Sequence, residues 1–545
     1  MAGTRPLGVD PPDQPALGIA PLRAIDWRFL LPGPVDRRFG RLAVLGGPPG
    51  LVARAMSAGL ADDVVAELPG PGRADLVAAY ADAPYGIPDI AQALARGGLL
   101  YLEVDRHRRG GRGTTPGRVS TMLRAAGLTP CAFYVMEPSS PEPRAFIPLD
   151  EPHAMNWHRR TSYSDRASVR IANAVRRHAV RIGGATVAAL DRPYAVLAVG
   201  GDSTDSVPGV LREPDVVRML AAADEPKSAV MLTYGSDRVL LFPFGPGSRE
   251  PVGVVKVPKD EALVDRTENE QHHLAALRDT LDADLVRAIP EPLGIVRFGR
   301  TVAACERFMP GASLATRAMD AAVSLDEKIA DVRLAAAWLA RFHRRTELRR
   351  ATVREIRNSL VDDPLEAYQR ELGTPADRPL RVRLATLADS LGRQQLAIAT
   401  QHRDFAAWNV LRSGDALAVV DWEGAREGCG ALDAVHLVTT WLYSVRLGDG
   451  VNDETRCIHD LLDPTRDATA SVAHDALLSY LQALGLDWRL APLLVALHRI
   501  ELALRRLTQL RLQRESIDDA PLLPEARVVR SLATEVDRLF PMGNS

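Results

Sequence analysis

The stretch Gln401–Trp422, QHRDFAAWNVLRSGDALAVVDW, constrains this chain more than any other. It sets His402, Asp404 and Asn409 in the pattern H-x-D-x-x-x-x-N and adds a second aspartate, Asp421. Asp404 and Asn409 lie five residues apart, so one loop can present both side chains to one cavity. Asp421 follows the apolar run Ala416–Val420, which reads as a β-strand with a carboxylate mounted at its end. Phosphoryl transfer needs such a set: one carboxylate orients a hydroxyl nucleophile, while an amide oxygen and a second carboxylate hold Mg²⁺ against nucleotide phosphates. The plainer alternative is a polar loop in which Asp404 and Asn409 are turn residues. Asp421 at matching spacing weighs against that alternative.

Lysine is scarce. It occurs only at positions 227, 256, 259 and 328, and the other 63 of the 67 basic residues are Arg. Lys256 sits in VVKV, the third of three β-rich runs, SAVMLTY, RVLLFPF and VGVVKV. These are separated by turn-forming GSD and GPGSREP, which predicts an antiparallel meander. An ammonium flanked by valines needs a partner if it is buried; an edge-strand lysine with its head in solvent is the alternative. The helix expected over Thr267–Leu281 supplies a candidate in Glu270, on the face marked by Leu274, Leu277 and Leu281. Glu268 points elsewhere. A capping box with Thr267 as N-cap and Glu270 three residues on competes with that pairing. Lys259, after Pro258, reads as a loop residue.

The motif HRDFAAWN followed by VVDWE resembles the aminoglycoside phosphotransferase and choline kinase group, small-molecule kinases that share the protein-kinase fold. Arg403 stands where that group usually has Gly. The likeness covers about residues 227–545 and implies an α+β bilobal kinase-like fold, with an N-lobe and hinge over 227–310 and a helical C-lobe over 311–545. It implies a kinase that transfers the γ-phosphate of ATP, or GTP, to a hydroxyl of a sugar, amino sugar or amino alcohol. Asp404 would be the catalytic residue, Asn409 and Asp421 the Mg²⁺ ligands, and Lys256, positioned by Glu270, the phosphate grip. Tyr234-Gly235-Ser236-Asp237 is the place for a nucleotide loop, with Ser236 as its contact, and a plain hairpin turn is the other reading. VAACERFMPGASL resembles the interlobe hinge and places adenine near Glu306, Phe308 and Met309. His402 would brace the catalytic loop. Glu423 could touch metal or substrate or cap a turn. His343 reads as packed, and Asp433 as a tie between the loop and the following helix.

The first 201 residues differ. Apolar runs at Leu42–Leu45, Val64–Leu68, Leu76–Tyr80, Leu99–Val104, Cys131–Met136 and Tyr194–Val199 alternate with helical patterns such as Ile90–Arg96 and Val119–Ala126. That alternation predicts an α/β domain with a parallel sheet. LARGGLLYLEV and LRAAGLTPCAFYVMEP resemble the second half of a class I methyltransferase fold. The loop after the first strand, Gly46-Gly47-Pro48-Pro49-Gly50, lacks an acidic strand end, and two prolines remove two N–H donors. Glu67 is the alternative acidic residue. The expectation is a scaffold or regulatory domain in which S-adenosylmethionine binding is doubtful. Residues 202–226 read as a linker with one short helix. Two rival readings of the whole chain are a non-catalytic pseudo-methyltransferase and pseudokinase that binds ligands, and a bifunctional methyltransferase–kinase.

Composition limits the partners. A net charge of −2 offers no basic surface for nucleic acid. No run approaches the ~20 apolar residues of a membrane span, and the Pro- and Gly-rich start is not expected to be a secretion signal. Four scattered cysteines form no metal spacing, which suggests a reducing, cytoplasmic setting. The expected partner is a small-molecule substrate.

Overall fold

The computed structural model describes residues 22–34, 36–105, 115–137, 143–161, 193–201, 207–220, 226–233, 237–463, 467–512 and 523–539. The chain forms two compact units, one comprising Asp13–Gln271 with Glu291–Phe308 and the other His272–Pro290 with Met309–Ser545.

The first unit is built on one twelve-stranded sheet. In chain order its strands are β1 (Phe39–Leu45), β2 (Ala61–Val65), β3 (Ala74–Ala79), β4 (Leu94–Val104), β5 (Leu128–Glu137), β6 (Ala145–Pro148), β7 (Tyr194–Gly200), β8 (Ser228–Leu232), β9 (Arg238–Phe244), β10 (Val254–Pro258), β11 (Pro292–Phe298) and β12 (Thr301–Glu306). Their spatial order is β11-β12-β10-β9-β8-β6-β5-β7-β4-β3-β1-β2. Successive residues of a strand face opposite sides. Leu42 and Val44 of β1 accordingly enter one apolar core, while Ala43 and Leu45 enter another.

The expected parallel sheet is corrected to a mixed one. Only β2, β1, β3 and β4 run parallel. β7 inserts antiparallel between β4 and β5, and β5 turns back antiparallel into β6. Sequence reading had no strand at Ala145–Pro148, yet β6 pairs with β8 through Ala145↔Leu232 and Phe146↔Met231. The meander β8-β9-β10 is antiparallel, as its turn chemistry predicts. Of the helical run expected over Ile90–Arg96, the helix Ile87–Ala93 ends where β4 begins at Leu94.

The second unit is mainly helical. Its longest helices are Leu325–Arg345, Ala431–Gly448 and Ala491–Leu512. Ser324 caps the first, with Glu327 completing a capping box. Trp338 of that helix stacks on Phe342 at 5.2 Å and on Phe405 at 5.8 Å between ring centroids. This anchors the segment after Asp404 to the core. Two small sheets carry the ends of the loop that holds His402, Asp404 and Asn409. Strand Gln395–Gln401 leads into it between Arg349–Thr352 and Arg426–Cys429, and hairpin Val410–Ser413/Ala416–Val419 leads out of it. Among the described residues no helix is long and apolar enough to cross a membrane.

Candidate active site

The loop of the helical unit draws its shape from backbone clamps. Arg403 and Asp421 are the non-glycine residues with positive φ among those described, at 68° and 72°. Such conformations cost of order 1–3 kcal/mol each and persist only where neighbours over-determine them. The neighbour of Arg403 is Asp433. Its Oδ2 accepts from the N–H of His402 at 2.6 Å, and its Oδ1 from the N–H of Arg403 at 2.8 Å. Buried His343 completes the clamp, with Nε2 3.4 Å from Asp433 Oδ2 and Nδ1 2.7 Å from the Tyr480 hydroxyl.

His402 is a brace. Its Nδ1 accepts from the N–H of Asp404 at 3.3 Å, and its Nε2 lies 3.1 Å from the Val420 carbonyl. One tautomer, protonated on Nε2, satisfies both contacts. Its ring lies 4.4 Å from that of Trp422, whose Nε1 donates to the Val419 carbonyl at 2.9 Å. His402 thus links the loop to the strand end that carries Asp421.

Asp404 and Asn409 meet directly. The Asn409 Nδ2 group donates to the Asp404 carbonyl at 3.0 Å and to Asp404 Oδ2 at 2.8 Å. That orientation turns the amide oxygen away from the carboxylate, as a hard-cation ligand requires. Burial raises the Asp404 carboxyl above the ordinary carboxylate range; Arg505 opposes that shift and Asp421 adds to it. His436 Nδ1 lies 3.7 Å from Asp404 Oδ1. Burial keeps both His436 and its ring neighbour His498 well below the usual imidazole range, so both are neutral at pH 7. Glu423 follows Trp422, half-buried.

Among the described residues no group of three or more His, Cys, Asp or Glu could hold a metal alone. Asn409 and Asp421 fit Mg²⁺ as an incomplete set, because that ion commonly keeps waters and takes one or two protein ligands plus substrate phosphates.

In the sheet unit, Lys256 is buried and doubly paired. Its Nζ lies 2.6 Å from Glu270 Oε1 and 2.7 Å from Glu306 Oε1. Arg238 Nη1 bonds Glu270 Oε2 at 2.5 Å, and Gln271 Nε2 bonds Glu306 Oε1 at 2.9 Å. Two cations and two carboxylates form one buried cluster. The solvated edge-strand alternative for Lys256 is therefore excluded. The capping-box alternative for Glu270 also falls, because the helix Val264–Thr280 begins three residues before Thr267. Glu268 instead pairs with Arg297. Arg238 as a partner of Glu270, and the side chain of Glu306 as a partner of Lys256, were missed. The available signal was the β10 register, which pairs Val254 with Glu306 and so sets that residue two positions along from Lys256.

The hinge expectation meets a different arrangement at the side chains. Glu306 turns onto Lys256, and burial pushes its carboxyl up to about 7 against the pull of Lys256. The Phe308 ring packs 6.0 Å from Trp157 and 6.5 Å from Phe242. Met309 is half-buried. Ser236, with Tyr234 and Gly235, lies outside the described residues. Lys259, read as a plain loop residue, is buried and paired with Asp26 at 2.6 Å.

The N-terminal glycine loop is closed upon its own unit. Gly46, Gly47 and Gly50 all have positive φ. The Gly47 N–H donates to Asp82 Oδ1 at 2.7 Å, and a Cβ on Gly47 would meet the Tyr80 ring at 2.8 Å.

Residues 249–456 match the family model described as "Phosphotransferase enzyme family" (APH). No curated protein matches the chain. Similar solved structures include a glucosamine kinase, at 17% identity over 57% of this chain and 76% of that one, with a TM-score of 0.33. A thermostable mutant of aminoglycoside phosphotransferase APH(4)-Ia in its apo form is 15% identical over 58% of this chain and 98% of that one, with a TM-score of 0.38. A choline/ethanolamine kinase family protein from Mesorhizobium loti is 14% identical over 55% and 86%, with a TM-score of 0.34.

Proposed function

We propose that this protein is a small-molecule kinase that moves the γ-phosphoryl group of ATP, or GTP, to a hydroxyl of a small metabolite. The observation that carries this reading is the pair of Asn409 amide bonds to Asp404, which fixes the base and the metal-ligand side chain as one unit. The family match over residues 249–456 supports it. Mg²⁺ held by Asn409 and Asp421 would neutralise charge on the transferring phosphoryl group. Asp404 orients the acceptor hydroxyl and takes its proton. The acceptor oxygen bonds to the γ-phosphorus, the bond to the β-bridging oxygen breaks, and the nucleoside diphosphate leaves. Lys256, held by Glu270, is the phosphate grip, and Glu306, Phe308 and Met309 supply the adenine hinge through their backbone. Catalysis on this scheme is positioning and charge neutralisation.

The domain reading is that residues 1–201 are a methyltransferase-like scaffold and 202–226 a linker, ahead of an N-lobe at 227–310 and a C-lobe at 311–545. The test is Mg²⁺-dependent transfer of labelled γ-phosphate from ATP, then GTP, into a pool of sugars, amino sugars and amino alcohols. A labelled product that disappears with Asp404→Ala is the expected result. Activity unchanged in both Asp404→Ala and Asp421→Ala would sink the assignment.

A further inference from the structure

The surroundings of the Asp404 carboxylate bear on the charge of the acceptor. Oδ2 accepts from Asn409, so Oδ1 is the oxygen left for an incoming hydroxyl. Two side chains flank Oδ1: neutral His436 at 3.7 Å and Arg505 at 3.9 Å, measured to Nη2. Arg505 comes from helix Ala491–Leu512, and its side chain is one-third exposed.

The guanidinium is held in place, with Asp404 as its nearby carboxylate. Nη1 donates to the Arg403 carbonyl, which leaves Nη2 beside Asp404 Oδ1. The carboxylate one helical turn earlier, Glu501, is already engaged. Its Oε1 accepts from Arg403 Nε at 3.1 Å and Nη2 at 2.7 Å, and from Arg426 Nη2 at 3.3 Å. Another cation of this helix, Arg499, is answered separately by Glu454 at 2.5 Å. Two guanidiniums therefore share Glu501 beside the loop, and Arg505 faces the acceptor oxygen with N–H donors to spare. An ammonium group brought to that spot would meet a fixed like charge. A carboxylate or phosphate would meet a charge-assisted donor pair.

We propose that the acceptor carries an anionic group beside the hydroxyl it presents, and that Arg505 recognises that group. The inference rests on the kinase reading above and narrows it, away from amino sugars and amino alcohols and towards hydroxy acids, sugar acids or sugar phosphates.

The test uses the full chain loaded with Mg²⁺ and a non-hydrolysable ATP analogue, titrated calorimetrically with glucose, glucosamine and glucuronate. The expected order is glucuronate at least ten-fold tighter than glucose, with glucosamine weakest. Arg505→Gln should bring glucuronate down to the glucose level, and Arg505→Lys should restore part of the difference. Thermal melts of both variants confirm that they fold. Glucosamine binding as tightly as glucuronate, no glucuronate binding, or an order unchanged in Arg505→Gln would each overturn the proposal. Binding of the nucleotide analogue itself, and Asp404-dependent turnover of Mg-ATP, report on the kinase reading separately, so either idea can fail alone.

Discussion

Asp433 Oδ1 lies 2.8 Å from the backbone nitrogen of Arg403, a residue held at φ 68°. That bond and its twin to the His402 N–H explain how a non-glycine residue occupies a glycine-like conformation directly before the proposed base. Asp433→Ala leaves two buried N–H groups without an acceptor, at ~1–3 kcal/mol each. The expected loss is ~2–5 kcal/mol in urea unfolding, with at least a ten-fold fall in turnover as Asp404 loses its placement. A variant with wild-type stability and activity would show that Arg403 holds its geometry without the clamp.

Asp404→Ala removes the proposed base, with an expected loss of ~10²–10⁴-fold in rate. Nucleotide binding should survive, because Asp404 is not placed among the phosphate or metal ligands. Asp421→Ala should weaken binding of the Mg-nucleotide itself. Titration of a fluorescent nucleotide analogue, with and without Mg²⁺, separates the two effects.

Glu306 gives a pH dependence with a definite sign. Burial raises its carboxyl to about 7 from the ordinary 4.5, with Lys256 opposing the shift. Between those values the folded chain holds a proton that the unfolded chain has released, so this group's contribution to stability falls as pH rises from 4.5 to 7. Glu306→Gln removes the titration. The difference in unfolding free energy between variant and parent should therefore move in the variant's favour between pH 5 and pH 8. A difference independent of pH would place the titration elsewhere.

The β6–β8 pairing joins β1–β7 to the sheet that carries Lys256. Ile25, Trp27 and Leu42 share one apolar core with Val239, Val255 and Cys305. A chain beginning at residue 207 would expose the β8 edge and open that core, and unpaired edges of this kind promote aggregation. Such a fragment should be insoluble or unfolded by circular dichroism. A well-folded fragment with full nucleotide binding would mean that the N-terminal strands are dispensable.

Much of the helical unit was legible because its chemistry is local. His402, Asp404 and Asn409 sit on one loop, and Asp421 follows after a short hairpin. The meander was legible for the same reason, since turn residues separate adjacent strands. The mixed sheet was not. Strand direction depends on β7 slotting between β4 and β5, a pairing across some 60 to 100 residues that no local pattern encodes. β6 was missed because a four-residue strand carries too little alternation to register. Side-chain partners reached by long loops, such as Asp26 for Lys259 and Arg238 for Glu270, were invisible for the same reason.

That Asp26–Lys259 pair supports the last prediction. Both side chains are buried, at 2.6 Å, and Asp26 also meets Arg28 Nη1 at 3.2 Å. Burial lowers the Arg28 guanidinium, and Asp26 is the first charge to oppose that shift. Breaking a buried pair by removing one partner leaves an uncompensated charge, at ~3–5 kcal/mol, whereas replacing both with apolar residues of similar volume is often neutral. Asp26→Leu should therefore destabilise the chain by several kcal/mol, because it strands two cations. Asp26→Leu with Lys259→Met should recover more than half of that loss, leaving Arg28 with its carbonyl acceptors Ile25 and Lys259. Thermal or urea unfolding of the four members of the cycle gives the coupling directly. Additive effects would mean that the two charges are solvated independently and that the first helical turn, Leu22–Leu30, is held by Trp27 and its apolar neighbours alone.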